Sequence, residues 1–317
     1  LSGVLDYTGP TTVADGTLRL SAEFNTPGAG VTIGPQGVLE VGGGTVARDI
    51  DNAGLVRSPT FAGQGLRITG EAAGGGNYFG NVAFAHRYSP GDGAAAVMMT
   101  NTVLESTNTL EMELAGPTPG SQHDHLALSG RLTAGGRLVV SLVDGFTPQP
   151  GDVFNLFDWS TFSGSFVAIT LPELAGAVWD TSRLYADGTL SVLAAADFNA
   201  DGLVDAADLA AWTAGAGMIG SATHARGDAD SDQDVDGADF LAWQRQIGAG
   251  GTVASVPEPQ SGAGLAGMAA GMFAGQLRKR RPAMPTAESS SCRVPLHSVM
   301  TSRFMQALSH IAGNVQR

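Results

Sequence analysis

The chain has 317 residues and a formal net charge of −13, with 43% hydrophobic residues, 15% charged residues and 45 glycines. This length suits two or three domains, and polarity that comes mainly from Gly, Ser, Thr and Asn is typical of a turn-rich β protein rather than a helical bundle. The acidic balance argues against nucleic acid as a partner and favours a cation, and the single cysteine, Cys292, excludes an intrachain disulfide.

Residues 1–195 contain short alternating apolar runs separated by Gly, Asn, Asp or Pro, such as GTLRLSAEF, GVLEVGGG and GRLVVSLVDG. Alternation with a period of two, interrupted at short intervals by turn residues, predicts consecutive β-strands. In the first of these runs the predicted inward side chains are Leu18, Leu20 and Ala22, and the predicted outward side chains are Arg19, Ser21 and Glu23.

The predicted fold class is therefore mainly β, with a right-handed β-solenoid or a β-sandwich-like arrangement in residues 1–195. We favour the solenoid, because stacked rungs satisfy each strand's backbone groups from above and below and small residues permit tight corners. Residues from about 121 onward could form a separate β cap.

The stretch GVLDYTGPTTVADGTLRL from Gly3 resembles the autotransporter-associated β-strand repeat, and the later HRYSPGDG, DHLALSG and LYADGTLSV resemble the terminal parts of exported β-solenoid proteins that carry such repeats. The resemblance implies an extracellular β-solenoid and no particular ligand.

Two sets of residues in the β region offer groups that could form a chemical site. His123, Asp124 and His125 could hold a transition metal with a further ligand such as His86, but a solvated loop before a strand is the favoured interpretation. Scattered carboxylates could form a glycosidase pair, which needs two carboxyl groups about 5 to 9.5 Å apart. The sequence supplies no such pairing, and we predict that the protein is not an enzyme.

Two acidic stretches follow, DFNADGLVDAAD and DADSDQDVDGAD, each ending four residues before a tryptophan. Counted from the first residue of each loop, oxygen-bearing side chains occupy places 1, 3, 5, 9 and 12. Loops that bind Ca²⁺ use this spacing, with a backbone carbonyl at place 7 and a turn at place 6. The predicted ligands are Asp197, Asn199, Asp201, Leu203, Asp205 and Asp208 in the first loop, and Asp228, Asp230, Asp232, Asp234, Asp236 and Asp239 in the second.

This shared register predicts two Ca²⁺ ions, because a solvated acidic linker, the alternative, needs no fixed register. Without the ions, the carboxylates would repel one another and the loops should loosen. Gln233 stands where the first loop has its turn residue Gly202, and place 12 holds Asp rather than the longer Glu of a sensor EF-hand. The second site is therefore expected to be weaker.

The doubled loop, with a short helix after each, resembles the type I dockerin repeat over residues 196–250. The resemblance implies two Ca²⁺-stabilised loop and helix units related by a pseudo-twofold axis, and in well-known members a surface that binds a cohesin. That surface usually carries polar pairs at places 10 and 11, which here hold Ala206, Ala207, Gly237 and Ala238.

Residues 251–281 begin as a Gly- and Ala-rich linker, continue through Pro257, Glu258 and Pro259 into the apolar segment 261–277, and end in four basic residues. This order resembles a PEP-CTERM sorting signal, which implies export, handling by sorting machinery of the exosortase type and transient membrane insertion of 261–277. A linker followed by a basic surface patch is the alternative. Residues 282–317 are predicted to be a flexible polar tail.

Together these features predict an exported, non-enzymatic protein with a structural or adhesive role at the cell surface or in an extracellular matrix, with a cohesin-like protein or an extracellular polysaccharide as partner. The alternative is a scaffolding component or accessory protein of polysaccharide processing that docks a cohesin-type partner through the calcium loops.

Overall fold

Short β-strands occupy most of the chain up to Ala194, and two helices follow. The structure, a computed structural model, describes residues 7–21, 28–58 and 65–250. The strands found in these ranges are β1 (Thr11–Leu20), β2 (Val31–Val41), β3 (Gly44–Val46), β4 (Ile50–Asn52), β5 (Leu55–Ser58), β6 (Leu66–Ile68), β7 (Ala72–Ala73), β8 (Asn77–Phe84), β9 (Arg87–Ser89), β10 (Ala96–Leu104), β11 (Thr109–Leu114), β12 (His125–Leu128), β13 (Arg131–Ala134), β14 (Arg137–Leu142), β15 (Val153–Asn155), β16 (Phe157–Asp158), β17 (Thr161–Gly164), β18 (Ala168–Thr170), β19 (Ala177–Asp180) and β20 (Thr189–Ala194). The helices are α1 (Ala206–Gly215) and α2 (Gly237–Gln246), with a 3-10 turn at His224–Arg226 between them.

The larger sheet has 17 strands within the described ranges, and its strands pair in parallel. Paired residues lie 16 to 31 positions apart along the chain. They form three columns, which the chain enters in a repeating order. The first column holds Thr11, Val31, Ile50, Ala72, Tyr88, Leu110, Leu138 and Ile169. The second holds Leu18, Leu39, Val56, Tyr78, Met99 and Leu128, and the third holds Val46, Ile68, Phe84 and Leu104.

These columns form the core of the β region. All their members are buried except Thr11, Leu18 and Ile169 at column ends, which are half-buried. In β1 the predicted alternation is confirmed, because Leu18 and Leu20 are covered while Arg19 and the following Ser21 are exposed. The predictions for Ala22 and Glu23 lie outside the described residues.

A second sheet has three antiparallel strands, β15, β20 and β19, and packs into the same apolar core through Phe154, Leu190 and Val192. Residue 121, the predicted start of a β cap, lies shortly before β12, which pairs in parallel with β10. The larger sheet thus continues to β18, and the antiparallel strands lead directly to the acidic loops.

The β strands and the two helices belong to one compact unit, Leu1–Val256. Among the described residues, neither helix has the length and apolar character needed to cross a membrane. The predicted linker and sorting signal at 251–281 and the predicted tail at 282–317 lie outside the described residues.

Candidate metal centre

Each acidic loop ends by capping a helix. Asp205 and Asp236, at place 9, are the N-caps of α1 and α2, and their side chains accept hydrogen bonds from the N–H groups of Ala207 and Ala238. Reciprocal bonds from the backbone N–H of place 9 to the carboxylate of place 12 complete a capping box in both helices. Such caps satisfy N–H groups that have no partner within the helix. The carboxylates at places 9 and 12 are therefore fixed by the backbone.

The carboxylates at places 1 and 12 hold the loop closed. Asp197 accepts hydrogen bonds from the N–H groups of Asp201 and Gly202, at 3.2 and 2.9 Å. The equivalent Asp228 accepts bonds from Ser231 and Gln233, at 2.6 and 3.1 Å. All four side chains at places 1 and 12 are buried: Asp197, Asp208, Asp228 and Asp239.

Both loops turn at the same two places. The backbone is left-handed at place 4, where Ala200 has φ of 57° and Ser231 has φ of 64°. It is left-handed again at place 6, where Gly202 has φ of 86° and Gln233 has φ of 74°. The turn predicted from Gly202 is thus present in both loops, including the one that has no glycine there.

The second loop brings its carboxylates together. Two groups of three side chains each place one carboxylate oxygen per residue within 4.8 Å of the others. The first group is Asp228, Asp230 and Asp232, and the second is Asp234, Asp236 and Asp239. One oxygen of Asp234 is buried and has no hydrogen-bond donor. An acceptor without a donor beside other carboxylates suits a hard cation, since Ca²⁺ is bound by oxygen ligands alone.

The electrostatics of the loops oppose ionisation of several carboxyl groups. Burial and the neighbouring Asp232 raise the pKa of Asp234 to about 6, and burial raises the pKa of Asp230, with Asp232 and Asp239 adding to the effect. Burial, with a contribution from Asp208, also raises the pKa of Asp197. A bound dication would relieve this repulsion, which is the property expected of an ion-stabilised loop.

The first loop differs from the second in exposure at place 7. Asn199, Asp201 and Asp205 are exposed, as are the equivalent Asp230, Asp232 and Asp236, but Leu203, predicted to offer its carbonyl, is 39% exposed where Asp234 is half-buried. The amide of Asn199 donates to Asp201, and the N–H of Leu203 donates to the same carboxylate. Within the described residues, the close groups of three carboxylates occur in the second loop. The first loop has Asn199 at place 3 and Leu203 at place 7, where the second has Asp230 and Asp234.

The two units are joined by reciprocal contacts. The indole Nε1 of Trp212 donates to the carbonyl of Asp236 at 3.0 Å, and that of Trp243 donates to the carbonyl of Asp205 at 2.8 Å. Each tryptophan therefore binds place 9 of the other loop. Backbone bonds between Val204 and Ala249 and between Val235 and Met218 follow the same exchange. The sequence showed the equal offset of the tryptophans but not their partners.

The paired loops also pack against the β region. Ala194, at the end of β20, shares an apolar cluster with Phe198 and Val204 of the first loop. The side-chain amide of Gln246 accepts a bond from the N–H of Ala196 at 2.8 Å and donates to the carbonyl of Gly176 at 2.7 Å. Sequence reasoning missed this connection, because no motif marks Gln246.

The His123 cluster is not the solvated loop that the sequence predicted. His123 and Asp124 are fully buried. Both ring nitrogens of His123 lie within 3.0 Å of backbone carbonyls. Asp124 accepts hydrogen bonds from the N–H groups of Ala95 and Glu113. His125 lies 3.0 Å from Asp158. These backbone contacts give the cluster a structural role in closing the turn before β12.

Comparisons of the chain with models of known protein families, with curated proteins and with solved structures give no match.

Proposed function

We propose that the chain is an exported, non-enzymatic protein of the cell surface or extracellular matrix, in which a β-solenoid is joined to a two-site, dockerin-like Ca²⁺ module. The observation that carries the calcium proposal is the equivalence of the two loops. They share ligand register, left-handed turns, capping boxes and exchanged tryptophan contacts. A solvated acidic linker has no reason to repeat these features 31 residues apart.

The solenoid proposal is supported by the parallel pairing of strands in three columns. A β-sandwich is built mainly from antiparallel strands, whereas the repeated order of the columns is the arrangement of a chain that winds through stacked rungs. A stack of this kind gives a long, stable surface with few charges, which suits a structural or adhesive role.

Calorimetric titration of Ca²⁺ into the whole chain tests the calcium proposal. We expect two binding events, with loss of one in Asp201→Ala and of the other in Asp232→Ala. The matched control is Asp92→Ala, which removes an exposed carboxylate outside the loops and should leave both events intact. Absence of binding, or equal loss in the control, would remove the calcium module from the proposal.

Export through a PEP-CTERM-like signal is proposed from residues 256–281, which lie outside the described residues. Deletion of this segment in the native host should release or mislocalise the protein. Unchanged surface display after deletion would reject the sorting proposal and leave the calcium titration unaffected.

The alternative role, docking of a cohesin-type partner in polysaccharide processing, has one structural point in its favour. Places 10 and 11 of both loops are exposed, so the helix starts formed by Ala206, Ala207, Gly237 and Ala238 are accessible. A purified cohesin domain that binds the chain only with Ca²⁺ would support this role.

A further inference from the structure

An open groove with a volume of about 710 Å³ lies on the outer side of the third column. One edge follows the parallel register from Gly65 through Asn81 and Asn101 to Arg131 and Thr161. Gly65 directly precedes β6, and the other four residues lie in β8, β10, β13 and β17, so the edge crosses five stacked strands. Neighbouring strands are about 4.8 Å apart, so the edge extends for about 19 Å. The groove is long enough for an extended polymer rather than for a compact metabolite.

The lining combines polar groups with a small apolar strip. Ala83 and Val103 pair on the outward face of β8 and β10, and Val103 is 40% exposed. Hydroxyl groups of Thr133, Ser160 and Thr161 flank this strip. Sugar rings present C–H faces beside hydroxyl edges, and such a surface offers a complement to both. The strand spacing is also comparable to the rise of one residue in an extended glycan.

The charge of the groove differs from that of the chain. Two arginines and no acidic residue line it, although the formal net charge is −13. Arg67 forms a two-bond ion pair with Glu105. Arg131 is exposed, and its guanidinium has no ion pair with the residues that the structure describes. The groove therefore presents one uncompensated positive charge to a ligand.

We infer that this groove binds an acidic polysaccharide in an extended conformation, with Arg131 contacting a uronate carboxylate and the polar edge contacting ring hydroxyls. Guanidinium groups bind carboxylates through paired hydrogen bonds. The inference deepens the proposed adhesive role of the β region by assigning a ligand class to it. It does not use the calcium loops, so its failure and the failure of the calcium proposal are separate results.

The test is a calorimetric titration of the whole chain, in calcium-containing buffer, with hyaluronan oligosaccharides and with neutral maltooligosaccharides of equal length. We expect binding of hyaluronan only. Arg131→Gln should weaken it by about tenfold, because a hydrogen bond to a charged group is lost. Arg131→Lys should retain part of the affinity, and Val103→Glu should abolish binding by placing a carboxylate in the groove.

The matched control is Arg137→Gln, which removes an exposed arginine at the start of β14, outside the groove. Circular dichroism of each variant checks that the fold is retained. Equal weakening in the Arg137 variant would show non-specific attraction and overturn the inference. Binding of the neutral glycan with equal affinity, or no binding of hyaluronan, would also overturn it.

Discussion

Gln233 adopts a left-handed backbone conformation at the place where the first loop has Gly202. A residue with a Cβ pays about 1 kcal/mol in this region, because Cβ crowds the neighbouring carbonyl. The Gln233 side chain is exposed, so removing its contacts should hardly change the free energy of unfolding. We expect Gln233→Gly to raise the free energy of unfolding by about 1 kcal/mol, measured by urea denaturation in calcium.

The reverse change, Gly202→Gln, is the matched control and should lower the free energy of unfolding by a similar amount. Equal stability of the two variants and the parent chain would mean that neither loop holds its left-handed turn in solution.

Asp124 is buried, and burial raises its pKa to about 7 despite two backbone hydrogen bonds that favour the ionised form. The ordinary value is 3.8, so the folded chain binds this proton more tightly than the unfolded chain. Protonation of Asp124 thus stabilises the fold, and stability should increase as the pH falls from the alkaline range through 7. Burial lowers the pKa of the adjacent His123 below 6.5, which opposes the gain at more acidic pH.

The measurement is thermal unfolding at a series of pH values from alkaline to neutral. Asp124→Asn should remove the rise in melting temperature over this range, although the variant is less stable overall because its amide nitrogen cannot accept a backbone bond. A parent chain with a flat profile would contradict the assignment.

At the scale of elements, the crossed tryptophan bonds predict an effect of each unit on the other. Trp212→Phe removes the bond to the carbonyl of Asp236, at place 9 of the second loop. A lost hydrogen bond costs about 1 kcal/mol, and the second loop should lose Ca²⁺ affinity. Trp243→Phe should weaken the first loop in the same way.

Calcium titration of each tryptophan variant, in chains with the other loop disabled by Asp201→Ala or Asp232→Ala, resolves the two sites. Trp159→Phe is the control, because Trp159 packs in the β region. If each variant weakened its own loop rather than the opposite one, the exchange of contacts would not govern affinity.

The sequence predicted these elements unevenly. Alternating apolar residues predicted strands in this region, since inward side chains such as Leu18, Leu20 and Leu39 are covered by the core. The pairing of strands was not predictable, because partners lie 16 to 31 residues apart with no constant period. The loop register was visible because its spacing repeats. The carbonyl partners of Trp212 and Trp243 lie 24 and 38 residues away, and only folding brings them together.

At the scale of the whole molecule, the acidic loops are continuous with the β region rather than tethered to it. The apolar cluster around Ala194 and Phe198 contains residues from both parts. Composition changes sharply near residue 196, and the sequence therefore predicts a boundary there, while the strands and both helices belong to one compact unit. The shared packing could not be predicted, because Ala194 and Gln246 carry no motif that marks an interface.

This shared packing predicts that calcium stabilises the last strands of the β region as well as the loops. Removal of Ca²⁺ by a chelator should leave the carboxylates unbalanced and loosen the loops. Hydrogen exchange should then accelerate at β19 and β20, because Val178 and Ala194 pack in the apolar cluster of the loops and the carbonyl of Gly176, directly before β19, accepts a bond from Gln246 of α2. Exchange at β2, which contributes Val31 to the first column, should not change. Local openings involve contiguous packed units, and β2 pairs with β1, β4 and β5 rather than with the strands next to the loops.

Hydrogen exchange followed by mass spectrometry, with and without chelator, compares these strands in the same protein. Gln246→Ala breaks the two bonds to Ala196 and Gly176, so β19 and β20 should exchange faster in this variant even with calcium present. Its matched control is Gln244→Ala, an exposed residue on the same helix, which should behave as the parent chain. Unaltered protection of β19 and β20 after calcium removal would show that the loops loosen without affecting the strands, and the coupling would then be confined to the module itself.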